Sequence, residues 1–217
     1  FELLEAARTF PPRHMLLASS SSVYGANTDL PYRETAKTDS QMSFYAATKK
    51  ATENLAHSYA HLYELPITMC LFFTVYGPWG RPDMAAFIFI RKILAGEPIP
   101  VFNNGNMRRD FTYIDDIVAG VLACLDKPPV AQEGSAPNRV YNLGNNNAEP
   151  LMRFISVLED TLGQKAEIDF QPLQTGDVPE TSADISETQQ DFGFEPKTTI
   201  DEGLPRLVAW YREYYGA

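Results

Sequence analysis

Two kinds of hydrophobic pattern alternate along this 217-residue chain. Residues 15–19 and 66–73 are apolar runs too continuous to alternate, as expected for strands of a parallel sheet covered on both faces. Residues 99–102, 111–113, 140–143 and 166–170 read as shorter strands. Helical spacing marks residues 2–8, stopped by Pro11 and Pro12, then 43–63 and 85–95, the latter ended by Gly96. It returns at 115–125, 151–162, 185–192 and 200–214. A polar loop fills 27–40, a Gly- and Pro-rich loop follows Phe73 through Pro82, and a Pro/Gly/Ser loop spans 127–137. Strands alternating with helices predict an α/β fold built on a parallel sheet. No internal repeat is present.

Composition narrows the partners. A hydrophobic content of 44% is enough for a sizeable core. The 18 Lys and Arg residues against 28 Asp and Glu give a net charge of −10, which argues against nucleic acid or an anionic membrane as partner. Any anion must therefore be recognised by a few local basic residues. Cys70 and Cys124 both lie in apolar runs, so they read as buried, unpaired thiols of a reducing, cytoplasmic compartment. No apolar run reaches 18 residues, so no membrane span is expected. The chain starts without Met, inside a helical pattern and with no signal peptide, which is read as a fragment.

The chemistry concentrates in two places. Tyr45 and Lys49 are four residues apart on a predicted helix, on one face and about 6 Å apart along its axis. Ser19, Ser20, Ser21 and Ser22 follow a strand some 25 residues earlier, where a hydroxyl can reach the same spot. A phenol ordinarily titrates near pH 10, so a tyrosine acting as a base at neutral pH needs about 4 kcal/mol of help, and a neighbouring ammonium supplies part of it. Tyr and Lys at this spacing are common on solvated helices; the serine strand makes them a candidate proton-transfer site. His57 and His61 have metal-ligand spacing, but Ser58 stands where a zinc protease needs Glu, and no third ligand is evident. Asp115 and Asp116 suit the first turn of a helix better than a metal pair. Tyr211, Tyr214 and Tyr215 read as packing. No Gly-x-x-Gly-x-x-Gly cradle occurs: Gly77 and Gly80 have the first spacing, and Asp83 sits where the third glycine belongs.

In order and spacing, six segments resemble the extended short-chain dehydrogenase/reductase superfamily, within it the nucleotide-sugar 4-epimerases and most closely the UDP-glucuronate 4-epimerases. They are Ala-Ser-Ser-Ser-Ser-Val-Tyr-Gly at 18–25, Tyr-Ala-Ala-Thr-Lys at 45–49, and Phe-Phe-Thr-Val-Tyr-Gly-Pro-Trp-Gly-Arg-Pro-Asp-Met at 72–84. The others are Pro-Ile-Pro-Val-Phe-Asn at 98–103, Arg-Asp-Phe-Thr-Tyr-Ile-Asp-Asp at 109–116, and Gly-Asp-Val-Pro at 176–179. The resemblance covers residues 1 to about 211. It implies a partial Rossmann-type, doubly wound parallel sheet plus a smaller C-terminal α/β substrate-binding domain. Residues 1–80 would be the C-terminal part of the dinucleotide-binding domain, and 81–217 mainly the nucleotide-sugar-binding domain, with elements of 109–145 returning to the first. The first hundred or so residues of the family, with the glycine-rich turn, would be missing.

The resemblance also implies roles. Tyr45, Lys49 and Ser20 would be catalytic. NAD would lie against Tyr45, Lys49, Ser19, Phe72 and Val75, its oxidised ring adding positive charge beside the phenol. Arg109 matches the arginine that grips the substrate diphosphate, where planar bidentate donors suit the anion. Asp177 matches a residue near the ribose, and Gln174 stands where galactose-type enzymes carry a second arginine. Phe102 either packs in the core or stacks on uracil. Arg81, Thr74, Ser21 and Ser22 suit a carboxylate on sugar C5, the basis for choosing glucuronate over glucose. A homodimer would form through the helix carrying Tyr45, using Leu55, Ala56, Tyr59, Leu62 and Tyr63. One departure is Leu71, where the family usually has arginine.

The implied reaction is epimerisation at C4 of a UDP-sugar through a 4-keto intermediate, UDP-glucuronate to UDP-galacturonate. A dehydratase or decarboxylase of the same superfamily is the competing chemistry, but relatives of that kind carry an acidic residue near Ser22, where this chain has none. A non-catalytic sugar-nucleotide-binding fragment is the third reading.

Overall fold

A computed structural model describes residues 1–217. In chain order the elements begin α1 (Glu2–Thr9), β1 (Met15–Ser20), α2 (Phe44–Tyr63), β2 (Ile67–Phe72) and β3 (Thr74–Tyr76). They continue with α3 (Ala85–Ala95), β4 (Ile99–Val101), β5 (Arg108–Tyr113), α4 (Ile114–Leu125), β6 (Asn138–Leu143) and β7 (Ala148–Pro150). The last are α5 (Leu151–Leu162), β8 (Ile168–Phe170), α6 (Ser186–Phe192) and α7 (Ile200–Tyr215). The chain divides into two compact units. The first comprises Phe1–Phe73, Val118–Leu143 and Ala183–Glu195; the second comprises Thr74–Ile117, Gly144–Ser182 and Pro196–Ala217.

The first unit is built on a three-stranded parallel sheet in the order β1-β2-β6. Its register aligns Ser19 with Leu71 and Asn142, and Ser20 with Phe72 and Leu143. Because successive residues of a strand point to opposite faces, these two rows mark the two sides of the sheet. The Ser19 hydroxyl meets Glu53 of α2. On the Leu143 side, a Cβ added to Gly120 of α4 would lie 2.9 Å from the Leu143 side chain. Helices therefore cover both faces, the doubly wound arrangement, and Gly120 is the close approach that α4 requires. The continuous apolar character of residues 67–71 follows from this double cover: all five are buried.

Asn142 locks the turn after β1 to this sheet. Its buried amide accepts a bond from the Tyr24 hydroxyl at 2.7 Å and donates to the carbonyls of Tyr32 at 2.9 Å and Asp184 at 3.0 Å. Its backbone N–H donates to the Glu34 carboxylate at 2.8 Å. Burial raises the Glu34 pKa above the ordinary carboxylate range, and the charges of Glu187 and Asp184 add to this, against the bond from Asn142. A carboxyl whose folded pKa is raised stabilises the fold below its unfolded pKa, and that contribution is lost as pH rises through the folded value. Glu34→Gln keeps an oxygen to accept the Asn142 N–H and removes the charge. Its melting temperature is expected to exceed the parent's at pH 7, the gain vanishing near about pH 4. Thermal unfolding at the two pH values checks this; an equal difference at both would contradict it.

The second unit holds two small sheets, β3-β5-β7 and the parallel pair β4-β8. β3 runs parallel to β5, and β7 antiparallel to it. Tyr76, Phe111, Phe154, Ile90 and Leu204 belong to one apolar core shared by these strands with α3, α5 and α7. Two strands differ from the sequence reading. Thr74–Tyr76 follows β2 after a single residue, so its pattern merges with the preceding apolar run and the loop beyond. Ala148–Pro150 has no strand pattern; its pairing with Arg108–Asp110 makes it a strand. No helix is long and apolar enough to cross a membrane. Cys70 and Cys124 are both free and buried, in the first unit.

Candidate active site and nucleotide-sugar site

In the first unit the candidate catalytic groups gather at the carboxyl end of β1 and the start of α2. Ser43 begins this helix, its hydroxyl accepting the Ala46 N–H at 3.1 Å, as an N-cap should. That cap fixes Tyr45 in the first turn and Lys49 one turn on. Lys49 Nζ donates to the carbonyl of Ala18 in β1 at 3.0 Å and lies 5.8 Å from the centre of the Tyr45 ring. The Tyr45 side chain is 48% exposed, so its hydroxyl is open to a reactant. The tyrosine of the serine segment is its opposite: Tyr24 is buried, donates to Asn142, and has its pKa pushed far up by burial. It is fixed as a neutral structural phenol.

The serines divide by position. Ser20 ends β1 and caps the short 3-10 turn at Ser21–Tyr24, its Oγ accepting the Ser22 N–H and donating to Ser22 Oγ, each at 3.2 Å. Ser19 is buried and donates to Glu53 Oε1 at 2.5 Å. Ser21 is half-buried and Ser22 exposed. Phe72, the last residue of β2, lies in register with Ser20.

Glu53 is a buried group beside the candidate site that the sequence reading missed, although the signal was there: Tyr45, Lys49 and Glu53 form an i, i+4, i+8 stripe along the helix. Its carboxylate is only 7% exposed and pairs with Lys50 Nζ at 3.0 Å. Leu71, where the resemblance had led us to expect arginine, is buried in register with Ser19. The cation beside Glu53 thus comes from its own helix. Removing one partner of a buried pair leaves a charge uncompensated, whereas removing both is often nearly neutral. Lys50→Met is therefore expected to lower the melting temperature more than the double variant Lys50→Met with Glu53→Gln. Thermal unfolding of both variants checks this; a double variant less stable than Lys50→Met would contradict it.

The dimer-face expectation needs correction. Ala56 and Tyr59 are buried within the protomer, Tyr59 donating to Glu5 of α1. The helical period turns those two inward and leaves Leu55, Leu62 and Tyr63 exposed.

The second unit carries the candidate nucleotide-sugar groups. Residues 171–179 start beside Phe102, where the Gln171 N–H donates to the Val101 carbonyl at 2.9 Å, and end on Arg109. The Arg109 side chain is largely buried and binds both oxygens of Asp177 at 2.9 Å. It also donates to the carbonyls of Arg108 at 2.9 Å and Pro179 at 3.0 Å. Arg109, Asp177 and Gln174 are thus brought together, Gln174 exposed in the turn whose carbonyl accepts the Asp177 N–H. Phe102 is half-buried at the head of the same segment. Asp110, also missed as a structural group, is fully buried. Its Oδ1 accepts the Asn145 N–H at 2.5 Å and the Thr112 hydroxyl at 3.1 Å, which anchors the strand that presents Arg109. Thr74 and Val75 lie on β3 in register with Phe111 and Thr112. Arg81 stands in the loop after β3, exposed, with a two-pronged bond to Asp83 at 3.0 and 2.7 Å. Asp115 and Asp116 occupy the first turn of α4, and Asp116 accepts the Thr198 N–H at 2.9 Å. His57 and His61 are exposed on α2.

Comparison with known proteins identifies the family. The profile of the NAD dependent epimerase/dehydratase family matches residues 1–144. Protein CapI of Staphylococcus aureus is 47% identical over 224 residues, covering 98% of this chain and 67% of its own length. A probable UDP-glucuronate 4-epimerase of Rhizobium meliloti is 44% identical over 227 residues, with 99% of this chain and 67% of its own covered. Among solved structures, UDP-glucuronic acid 4-epimerase from Bacillus cereus, in complex with UDP-glucuronic acid and NAD, superposes with a TM-score of 0.89 at 32% identity. That match covers 99% of this chain and 66% of the other. The chain thus spans about two thirds of the length of these relatives. By its profile and these relatives, the chain belongs to the NAD dependent epimerase/dehydratase family.

Proposed function

We propose that this chain carries the catalytic groups of an NAD-dependent 4-epimerase that interconverts UDP-glucuronate and UDP-galacturonate. The observation that carries the reading is the fixed pair on α2: Lys49 held by the Ala18 carbonyl, with Tyr45 one turn away and open to solvent. The first unit is the C-terminal part of a dinucleotide-binding domain, and the second binds the nucleotide sugar.

The residues present fit the nicotinamide–ribose end of NAD. Lys49 has an ammonium with three donors, of which one goes to Ala18. It stands at the carboxyl end of parallel strands, where such sheets receive their ligands. Tyr45, Lys49, Phe72 and Val75 would hold the cofactor there, with Ser19 supporting the strand end through Glu53. Bound NAD supplies the acceptor and donor for the C4 hydrogen of the sugar.

The chain's own groups handle the proton. Ser20 holds the 4-hydroxyl, and Tyr45 takes its proton as C4 is oxidised. The Lys49 ammonium offsets the negative charge that gathers on the phenol oxygen. The 4-keto sugar turns about its diphosphate tether, C4 is reduced on the opposite face, and Tyr45 returns the proton. Arg109 holds the diphosphate with charge-assisted bonds, Asp177 and Gln174 flank the nucleoside, and Phe102 offers a face to uracil. Arg81, Thr74, Ser21 and Ser22 receive the C5 carboxylate. Serine at 21 and 22, where a β-elimination or decarboxylation needs an acid, disfavours a dehydratase or decarboxylase. A homodimer through the exposed part of α2 and a cytoplasmic location complete the reading.

The test is a substrate panel. A protein spanning the full length of the relatives is incubated with NAD and, separately, UDP-glucuronate, UDP-glucose and UDP-xylose. Turnover greatest on UDP-glucuronate is expected; preference for either neutral sugar would contradict the assignment.

A further inference from the structure

Trp79 has an unusual backbone and no part in the proposed chemistry. Its φ is +61°, in the left-handed region that side chains other than glycine rarely adopt. It lies in segment 77–84, which joins β3 to α3 and turns twice. The Gly80 N–H donates to the Gly77 carbonyl at 3.3 Å, and the Met84 N–H to the Arg81 carbonyl at 3.1 Å. The Trp79 side chain is 74% exposed, yet its ring has two partners on α7. It lies 5.2 Å from Trp210 and 5.1 Å from Tyr214, edge-on to the latter at 73°. Those two rings are stacked on each other at 5.0 Å and 16°.

The flanking glycines mark how closely the loop runs against its neighbours. Gly77 has φ +144°, and a Cβ there would lie 2.4 Å from Ile114 Cγ2. A Cβ on Gly80 would lie 2.7 Å from the Phe87 ring. A strained residue in an exposed loop persists only when its surroundings over-determine it. Here the Trp210–Tyr214 shelf does so. Two residues further on stands Arg81, clamped by Asp83. The loop is thus fixed at one point by an aromatic contact and carries, within reach of that point, the cation assigned to the sugar carboxylate.

We infer that Trp79 is a latch: docked on Trp210 and Tyr214, it fixes the loop and so positions Arg81 to recognise an acidic sugar. This rests on the proposed role of Arg81. Trp79 is a positioning residue; it is Arg81 that meets the carboxylate.

The test uses Trp79→Ala, Tyr214→Ala, Trp79→Phe and Arg81→Met in a protein spanning the full length of the relatives. Affinities for UDP-glucuronate and for UDP are measured, together with amide hydrogen exchange over 77–84. Trp79→Ala and Tyr214→Ala are expected to speed exchange in that segment. They should also weaken UDP-glucuronate binding about five- to tenfold, toward the Arg81→Met value, with UDP binding unchanged. Trp79→Phe should restore most of the affinity. Unchanged exchange in Trp79→Ala overturns the latch. Faster exchange with undiminished affinity for UDP-glucuronate overturns its link to Arg81. If Arg81→Met itself leaves that affinity intact, the assignment of Arg81 falls and the latch's role with it. That result is separable from the other two, because Arg81→Met leaves Trp79 docked.

Discussion

In a protein spanning the full length of the relatives, Tyr45→Phe is expected to reduce turnover by at least about a hundredfold, the usual size of a general acid–base contribution, while NAD stays bound. The side chain is half exposed at the start of α2 and its hydroxyl supports nothing in the fold, so the melting temperature should hold. Tyr24→Phe supplies the contrast. That hydroxyl is buried and bonded to Asn142 at 2.7 Å, so its loss should cost stability, about 1 kcal/mol, and little catalysis directly. Steady-state rates and thermal unfolding of the two variants separate the roles. Turnover of Tyr45→Phe within about tenfold of the parent would remove Tyr45 from the base role.

Arg109→Ala is expected to raise KM for the nucleotide sugar by about 10- to 100-fold, with a comparable loss of affinity for UDP alone. The structure sharpens this. One terminal nitrogen of the guanidinium donates to both oxygens of Asp177 and the other to two backbone carbonyls, so the donor is oriented before any anion arrives. Asp177→Asn should weaken UDP less than Arg109→Ala, since it disturbs the aim of the cation and leaves its charge. Titration calorimetry with UDP measures both. Undiminished UDP affinity in Arg109→Ala would show that the diphosphate is held elsewhere.

The elements legible in the sequence are those whose pattern is long or whose ends are chemically marked. The helix 43–63 could be read because Ser43 caps it and its apolar spacing is sustained; the observed helix starts one residue later, at Phe44. Gly96, in the left-handed conformation with φ +67°, stops α3 where expected. Thr74–Tyr76 and Ala148–Pro150 were not legible, because strands of three residues owe their existence to pairing with β5, which lies far away in sequence. The site was legible in part for the same reason. Tyr45 and Lys49 are local to one helix, and the Ser20 strand end is a short run. Glu53 lay on the same stripe but shows its purpose only through Ser19 on another element. Arg109 and Asp177 are 68 residues apart, and only the fold makes them one bidentate pair. Burial likewise decides that Ala56 and Tyr59 face inward, where the family resemblance had put them on an outer face with Leu55 and Leu62.

The central claim is that the configuration at C4 is inverted by removing hydrogen from C4 and returning it to the opposite face of the same carbon. Proton NMR follows it directly. A protein spanning the full length of the relatives, with NAD, is incubated with UDP-glucuronate in D2O. The account predicts UDP-galacturonate whose C4 and C5 positions keep their original hydrogen, with no pentose formed. Deuterium at C4, or release of carbon dioxide with a UDP-pentose as product, would contradict it.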